Sequence, residues 1–157
     1  GGFFGELSVI DRRPRSATLV ALAPAVVIQV PGDAARRLFF EYPPVAEALM
    51  QHLARSIRRM SDLRALQAMP GAFQRVYALL GYVSEAGPGG LQVIDDVPTH
   101  QEISIMVNTS RETVTRAIAQ LLRSGVVEKD RRRLIIRDPA ALERLIEDPS
   151  RALGPAE

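Results

Sequence analysis

In the stretch PTHQEISIMVNTSRETVTRAIAQLLRSGVVEKDRRRLIIRDP, residues 98–139, two helix-start signals stand so close together that only a short helix and a tight turn fit between them. Thr99, followed by Glu102, reads as a capping box in which a hydroxyl and a carboxylate each take a free backbone N–H of the helix end. The helix it opens is expected to run through Val107. Asn108-Thr109 then turns the chain, because asparagine tolerates the left-handed backbone that such a turn needs. Ser110 caps a second helix from Arg111 to Ser124, with Val114, Ile118, Leu121 and Leu122 expected to face inward, and Gly125 ends it. VVEK and RLIIR, on either side of Asp130-Arg131-Arg132, read as a β-hairpin.

Helix, tight turn, helix and basic β-wing together make a winged helix-turn-helix. Once the second helix buries its apolar side, Arg111, Glu112, Thr115 and Arg116 are left on the outer face near its N-terminus. A guanidinium can donate two parallel hydrogen bonds to guanine O6 and N7, and a carboxylate can accept from cytosine N4. Free N–H groups at a helix start suit phosphate. Thr99, His100 and Ser110 at the helix starts, with Lys129, Arg131 and Arg132 on the wing, complete the expected DNA-contacting set. Charge placement agrees: the whole chain carries only +2, yet between Thr109 and Arg137 eight basic residues face three acidic ones. Such a local excess creates a favourable field for a polyanion. The competing readings are a solvated basic face and a helix-turn-helix used only for protein packing.

Upstream, the β-branched run TLVALAPAVVIQV (18–30) predicts two short strands divided by a turn at its proline. Pro31-Gly32 stops it, and Asp33 is expected to cap a short helix through about Phe40. Prolines 43 and 44 break that helix and open the next. From Val45 to about Met69, Leu49, Leu53, Ile57, Met60 and Leu63 recur on one stripe, with Arg55, Arg58, Arg59 and Asp62 off it. A helix of roughly 25 residues is about 37 Å long, and its stripe resembles a coiled-coil seam, which favours a dimer interface over an internal core contact. Pro70-Gly71 reads as a short, stiff hinge. Helical spacing resumes with Phe73, Val76, Leu80 and Val83 on one side, and a strand is expected at 91–94 after GPGG.

The 157 residues allow one ordinary domain or two small ones. Cysteine is absent, which excludes disulfides and cysteine-ligated metal centres within these residues and fits a reducing, cytoplasmic setting. No apolar run is long enough for a bilayer, so no membrane partner is expected. His52 and His100 have no carboxylate or histidine spacing of a metal site; both read as ordinary surface residues, and no catalytic residue or enzymatic activity is expected.

At this point the chain resembles the Crp–Fnr family of bacterial transcription regulators. The resemblance rests on HQEISIMVNTSRETVTR, similar to that family's recognition motif, and on FGEL followed by RSA near the front, similar to its phosphate-binding cassette. It implies an α+β fold: residues 1–42 as the C-terminal part of a cyclic-nucleotide-binding β-roll, 43–69 as a dimerisation helix, 70–71 as the hinge, 72–148 as the winged helix-turn-helix and 149–157 as a tail. It implies that Gly5, Glu6 and Leu7 belong to the cassette, with Glu6 accepting from a ribose 2′-hydroxyl, and that Arg15 and Ser16 grip a cyclic phosphate. Met60 and Ser61 match a hydroxyl pair set against the adenine. Arg111, Glu112 and Arg116 match three base-reading positions, implying a palindromic operator with TGTGA-like half-sites. The implied effector is a cyclic nucleotide, cyclic AMP ahead of cyclic GMP, and the implied partners are double-stranded DNA, a second copy of the chain and RNA polymerase. Met60 departs from the pattern by replacing a hydroxyl with a thioether, and Asn108 replaces a glycine. The family's effector fold also begins upstream of the cassette, so the expectation is a fragment in which nucleotide binding is weakened. The alternative is a regulator of the same fold that answers to another signal or none and keeps the cassette as structure.

Overall fold

The computed structural model describes residues 2–21 and 23–148; the tail assigned to 149–157 lies outside them. The chain forms two compact units that divide between Arg58 and Arg59, inside a long helix.

In the first unit, α1 (Glu6–Asp11) packs against α2 (Gly32–Glu41), and the first half of α3 (Pro43–Ala68) follows. No periodicity in the sequence signals a helix at α1. Arg36 of α2 holds it in place: Nη1 donates to the carbonyls of Val9 and Ile10, each at 3.2 Å, and the guanidinium lies 4.7 Å from the centre of the Phe40 ring. These are the carbonyls that a short helix leaves without partners at its C-terminal end.

Two expectations are corrected in this unit. The described residues of 18–30 form no strands; the chain there is irregular and exposed, with Val26 at 98% and Ile28 at 90% accessibility. A strand is defined by a neighbour to which it hydrogen-bonds, and β-branched composition supplies none. Asp33 is not the cap of α2. The N-cap position is Pro31, and Asp33 lies in the first turn, where its charge favours the positive end of the helix dipole.

The second unit contains the rest of α3, then α4 (Ala72–Val83), β1 (Glu85–Ala86), β2 (Gln92–Ile94), α5 (His100–Met106), α6 (Arg111–Arg123), β3 (Val127–Asp130), β4 (Arg133–Ile136) and α7 (Pro139–Glu147). Among the described residues the strands form one antiparallel sheet in the order β1-β2-β4-β3. The core gathers Val76, Leu79, Ile103, Val107, Leu121 and Ile136, all 1% exposed or less. α4 packs against α6 and α7, so its buried surface widens from the expected stripe to the continuous run Val76–Leu80.

α7 escapes the sequence reading, although its start is well marked. The Asp138 carboxylate accepts the Ala141 N–H at 2.8 Å, and Pro139 occupies the first turn. Gln74 joins its far end to the start of α4: Nε2 donates to Ile146 O at 2.9 Å while Oε1 accepts the Gly71 N–H at 3.0 Å.

Leu122 is a third correction, being 36% exposed. Neighbouring helix residues point about 100° apart, so a stripe set by Val114, Ile118 and Leu121 takes in Ala117, which is fully buried, rather than Leu122.

Tyr77 is fully buried in this core, edge-on to Phe73, and its hydroxyl has no hydrogen-bond partner among the described residues. Burial pushes its pKa up to about 12. An unpartnered buried hydroxyl costs about 1–3 kcal/mol, so Tyr77→Phe is expected to stabilise the protein by about 1 kcal/mol. Equilibrium denaturation checks this; a lower midpoint for the variant would contradict it.

Candidate nucleic-acid interface and anion cradle

The two helix starts read from the sequence are built as expected. Thr99 Oγ1 accepts the Glu102 N–H at 3.2 Å, and Glu102 Oε2 accepts from the Thr99 N–H at 2.7 Å and its hydroxyl at 2.8 Å. These bonds, the backbone one foremost, hold the Glu102 carboxyl below the usual glutamate range. Asn108 turns the chain at φ 48°, and the Thr109 N–H reaches back to Ser104 O at 3.0 Å. Ser110 Oγ accepts the Thr113 N–H at 3.1 Å and starts α6; Gly125, at φ 72°, follows its last turn.

With Val114, Ala117, Ile118 and Leu121 buried, α6 leaves Arg111, Glu112, Thr115 and Arg116 exposed on one face. The Glu112 carboxyl is held below the usual range by its own backbone N–H first, then by the Ser110 hydroxyl and the charges of Arg111 and Arg116. Arg116 Nη2 lies 3.5 Å from Thr113 Oγ1, a weak tether on an otherwise solvent-facing guanidinium.

Thr115 is differently placed. Its hydroxyl donates to Arg111 O at 3.0 Å and sits 2.9 Å from His100 Nδ1. Since its one proton goes to Arg111 O, the hydrogen bond with His100 has Nδ1–H donating to Thr115 Oγ1. His100 therefore fastens the start of α5 to α6 and is half-buried rather than an ordinary surface residue. No local spacing signals this pair, because the turn alone brings it together.

On the wing, Arg131 turns the hairpin at φ 51° and Asp130 pairs with Arg133 across it. Arg133 Nε meets Asp95 at 2.7 Å, Arg132 Nη2 meets Asp96 at 3.3 Å, and Arg137 Nε meets Glu128 at 2.7 Å. Asp95 and Asp96 lie outside the window counted in the sequence, and including them lowers its excess of positive charge from five to three. Among the described residues, Lys129 and Arg131 have no ion-pair partner.

In the first unit, the expected cassette residues surround one concavity. Gly5 sits at φ 83° ahead of α1, and its carbonyl accepts from Arg15 Nη1 and Ser8 Oγ, each at 2.9 Å. The positive φ is what favours glycine at position 5; a Cβ there would also meet the Arg15 guanidinium, the movable end of a long side chain. Glu6, Leu7, Arg15 and Ser16 line the concavity with Phe3 and His52. The His52 ring packs on Phe3 at a centroid distance of 4.3 Å and brings Nε2 to 3.9 Å from Glu6 Oε1. His52 is thus half-buried beside the cassette, another departure from the surface placement expected of it.

The stripe expected on α3 divides. Leu49 and Leu53 are turned into the first unit, and Leu63 packs on the second unit's core. Ile57 and Met60 are 63% and 65% exposed. Ser61 is exposed, and with Met60 it belongs to the second unit. Among the described residues no group of three or more histidines, aspartates and glutamates could hold a metal ion, and no helix is long and apolar enough to cross a membrane.

Comparison with known proteins gives matches at both ends of the chain. The Crp-like helix-turn-helix domain matches residues 74–145, and the cyclic nucleotide-binding domain matches residues 1–42. The cyclic AMP receptor protein of Thermus thermophilus is 34% identical over 146 residues, covering 92% of this chain and 65% of the relative. A CRP-like cAMP-activated global transcriptional regulator of Mycobacterium tuberculosis is 31% identical over 146 residues, covering 90% of this chain and 64% of the relative. The chain therefore spans just under two thirds of the length of these relatives. Among solved structures, a CRP-family transcriptional regulator from Thermus thermophilus superposes with a TM-score of 0.55 at 25% identity, over 68% of this chain and 55% of that one.

The capping box carries a pH signature. A carboxylate whose folded-state pKa is lowered adds stability that is complete above its unfolded value and is lost as pH falls through the folded one. Glu102→Gln keeps an acceptor for Thr99 but removes the charge. Wild type is expected to melt above the variant at pH 7, with the gap narrowing as pH falls below the usual glutamate range. Thermal melts across pH check this, and a gap that widens in acid would contradict it.

Proposed function

Because this chain belongs to the Crp–Fnr family of transcription regulators, we propose that it is a DNA-binding regulator acting as a homodimer, controlled in the full-length protein by a cyclic nucleotide. One observation carries the DNA reading: α6 buries Val114, Ala117, Ile118 and Leu121 and leaves Arg111, Glu112 and Arg116 together on the exposed side near its N-terminus. On this reading those three read base edges in the major groove of TGTGA-like half-sites. Thr99, His100 and Ser110 stand at helix starts suited to phosphate, with Thr115 holding His100 in place. Lys129 and Arg131 reach the flanking backbone directly and supply salt-dependent affinity, whereas Arg132 must first exchange Asp96 for phosphate, which lessens its net contribution. The exposed Ile57 and Met60 favour pairing of α3 with a second copy, which sets two recognition helices on a palindrome with half-sites about 34 Å apart. RNA polymerase is the downstream partner in this reading, the cytoplasm is its setting, and it requires no catalytic step.

Gly5, Glu6, Leu7, Arg15 and Ser16 are the residues we assign to the nucleotide, with cyclic AMP ahead of cyclic GMP. The names of the relatives support cyclic AMP. A second reading, in which the cassette is structural and the signal is different or absent, draws support from two features. Arg15 is bonded to the Gly5 carbonyl, and Met60 offers a thioether where the family motif has a hydroxyl.

Arg116→Ala is expected to cost about 1–3 kcal/mol of DNA affinity and to relax preference at one guanine of the half-site. A binding titration over single-base variants checks this; discrimination unchanged at every position would remove Arg116 from the reading set. Calorimetry of the full-length protein with cyclic AMP and cyclic GMP separates the effector readings. Heat that disappears in Arg15→Ala supports the nucleotide sensor, and no heat with either nucleotide supports the structural cassette.

A further inference from the structure

An α-helix leaves its last carbonyls without intrahelical partners, and two such ends meet in the second unit. α3 stops at Ala68, leaving the carbonyls of Met69 and Pro70 beyond it. α5 stops at Met106, and the turn through Val107 and Asn108 leaves theirs. Arg75, half-buried at the start of α4, reaches both ends. Its Nη1 donates to Met69 O at 2.8 Å and to Pro70 O at 3.4 Å; its Nε donates to Val107 O at 2.8 Å and its Nη2 to Asn108 O at 3.2 Å. Gln67, on the last turn of α3, adds Nε2 to Met106 O at 2.7 Å. Among the described residues no carboxylate pairs with Arg75, so its charge is met by four backbone carbonyls that directly follow the ends of two helices.

We propose that Arg75 is a positioning residue that caps α3 and α5 at once and thereby locks the helix-turn-helix to the end of the long helix. Charge-assisted bonds from one rigid guanidinium form or break together, so the end of α3 and the α5–α6 turn move as one body. Lysine cannot replace it, since a single ammonium is a point charge and cannot span two sets of carbonyls in a fixed fork. The consequence for DNA rests on the function proposed above: Arg75 touches no base in that reading and acts only by orienting α6.

The test places spin labels at Arg64 on α3 and Arg123 on α6, both exposed and outside this network, in the full chain diluted with unlabelled protein. Pulsed dipolar spectroscopy well below the melting temperature is expected to give one narrow distance distribution in the wild type. A broad one is expected in Arg75→Lys and an intermediate one in Gln67→Ala. A role in stability alone would lower the melting temperature and leave the distribution narrow, and that result overturns the proposal. If Arg75→Lys does not fold, Gln67→Ala decides by the same criterion. In the second arm, Arg75→Lys is expected to weaken binding to an inverted TGTGA repeat about tenfold while keeping the ratio between matched and mismatched sites, unlike Arg116→Ala. Broadened distances with no DNA binding by any variant, wild type included, would sink the functional reading and leave the Arg75 lock standing.

Discussion

The turn between α5 and α6 admits very little variation, and the rest of the second unit is arranged around it. Asn108 must hold a left-handed backbone, the Thr109 N–H must reach Ser104 O, and Ser110 must begin a new helix at once. Backbone groups at such a turn cannot all satisfy one another. The carbonyls of Met106, Val107 and Asn108 are completed from elsewhere, by Gln67 and Arg75. Ile103 and Val107, meanwhile, enter the core with no exposure at all. Polar satisfaction and apolar burial thus select the same arrangement, and the outer face of α6 is what remains available.

The first unit shows the opposite balance. Its first two helices, α1 and α2, are short, and long side chains do much of the holding. Arg36 closes the end of α1, Arg15 folds onto Gly5, and His52 leans on Phe3 beside Glu6. The apolar run through 18–30 has no opposing layer among the described residues, so Val26 and Ile28 remain exposed despite a composition suited to strands. β-propensity measures fit to a pleated, half-buried surface, and without neighbours that surface does not exist.

Charge behaves in the same context-dependent way. Counted along the chain, the wing and α6 are strongly basic. In space, Asp95 and Asp96 stand beside Arg133 and Arg132, and Glu128 beside Arg137. Exposed pairs of this kind contribute little to stability, but they set which cations are immediately free and which must first exchange partners. Lys129, Arg131, Arg111, Arg116 and Arg123 form the readily available set.

Local chemistry was legible from the sequence alone. A capping box needs only Thr99 and Glu102 at the right spacing, a second start needs only Ser110, and an amphipathic helix needs only a periodic stripe. These features depend on residues a few positions apart, so the helix-turn-helix, the wing and the long helix could be read directly. Tertiary structure decided whatever depends on partners distant in the chain. It paired His100 with Thr115, turned Leu122 outward in favour of Ala117, and brought His52 to Glu6. It left 18–30 without a sheet, and it set Arg75 between two helix ends. Covalent spacing determines what a segment can form; which groups then find hydrogen-bond partners or an apolar neighbour is determined only when the chain packs.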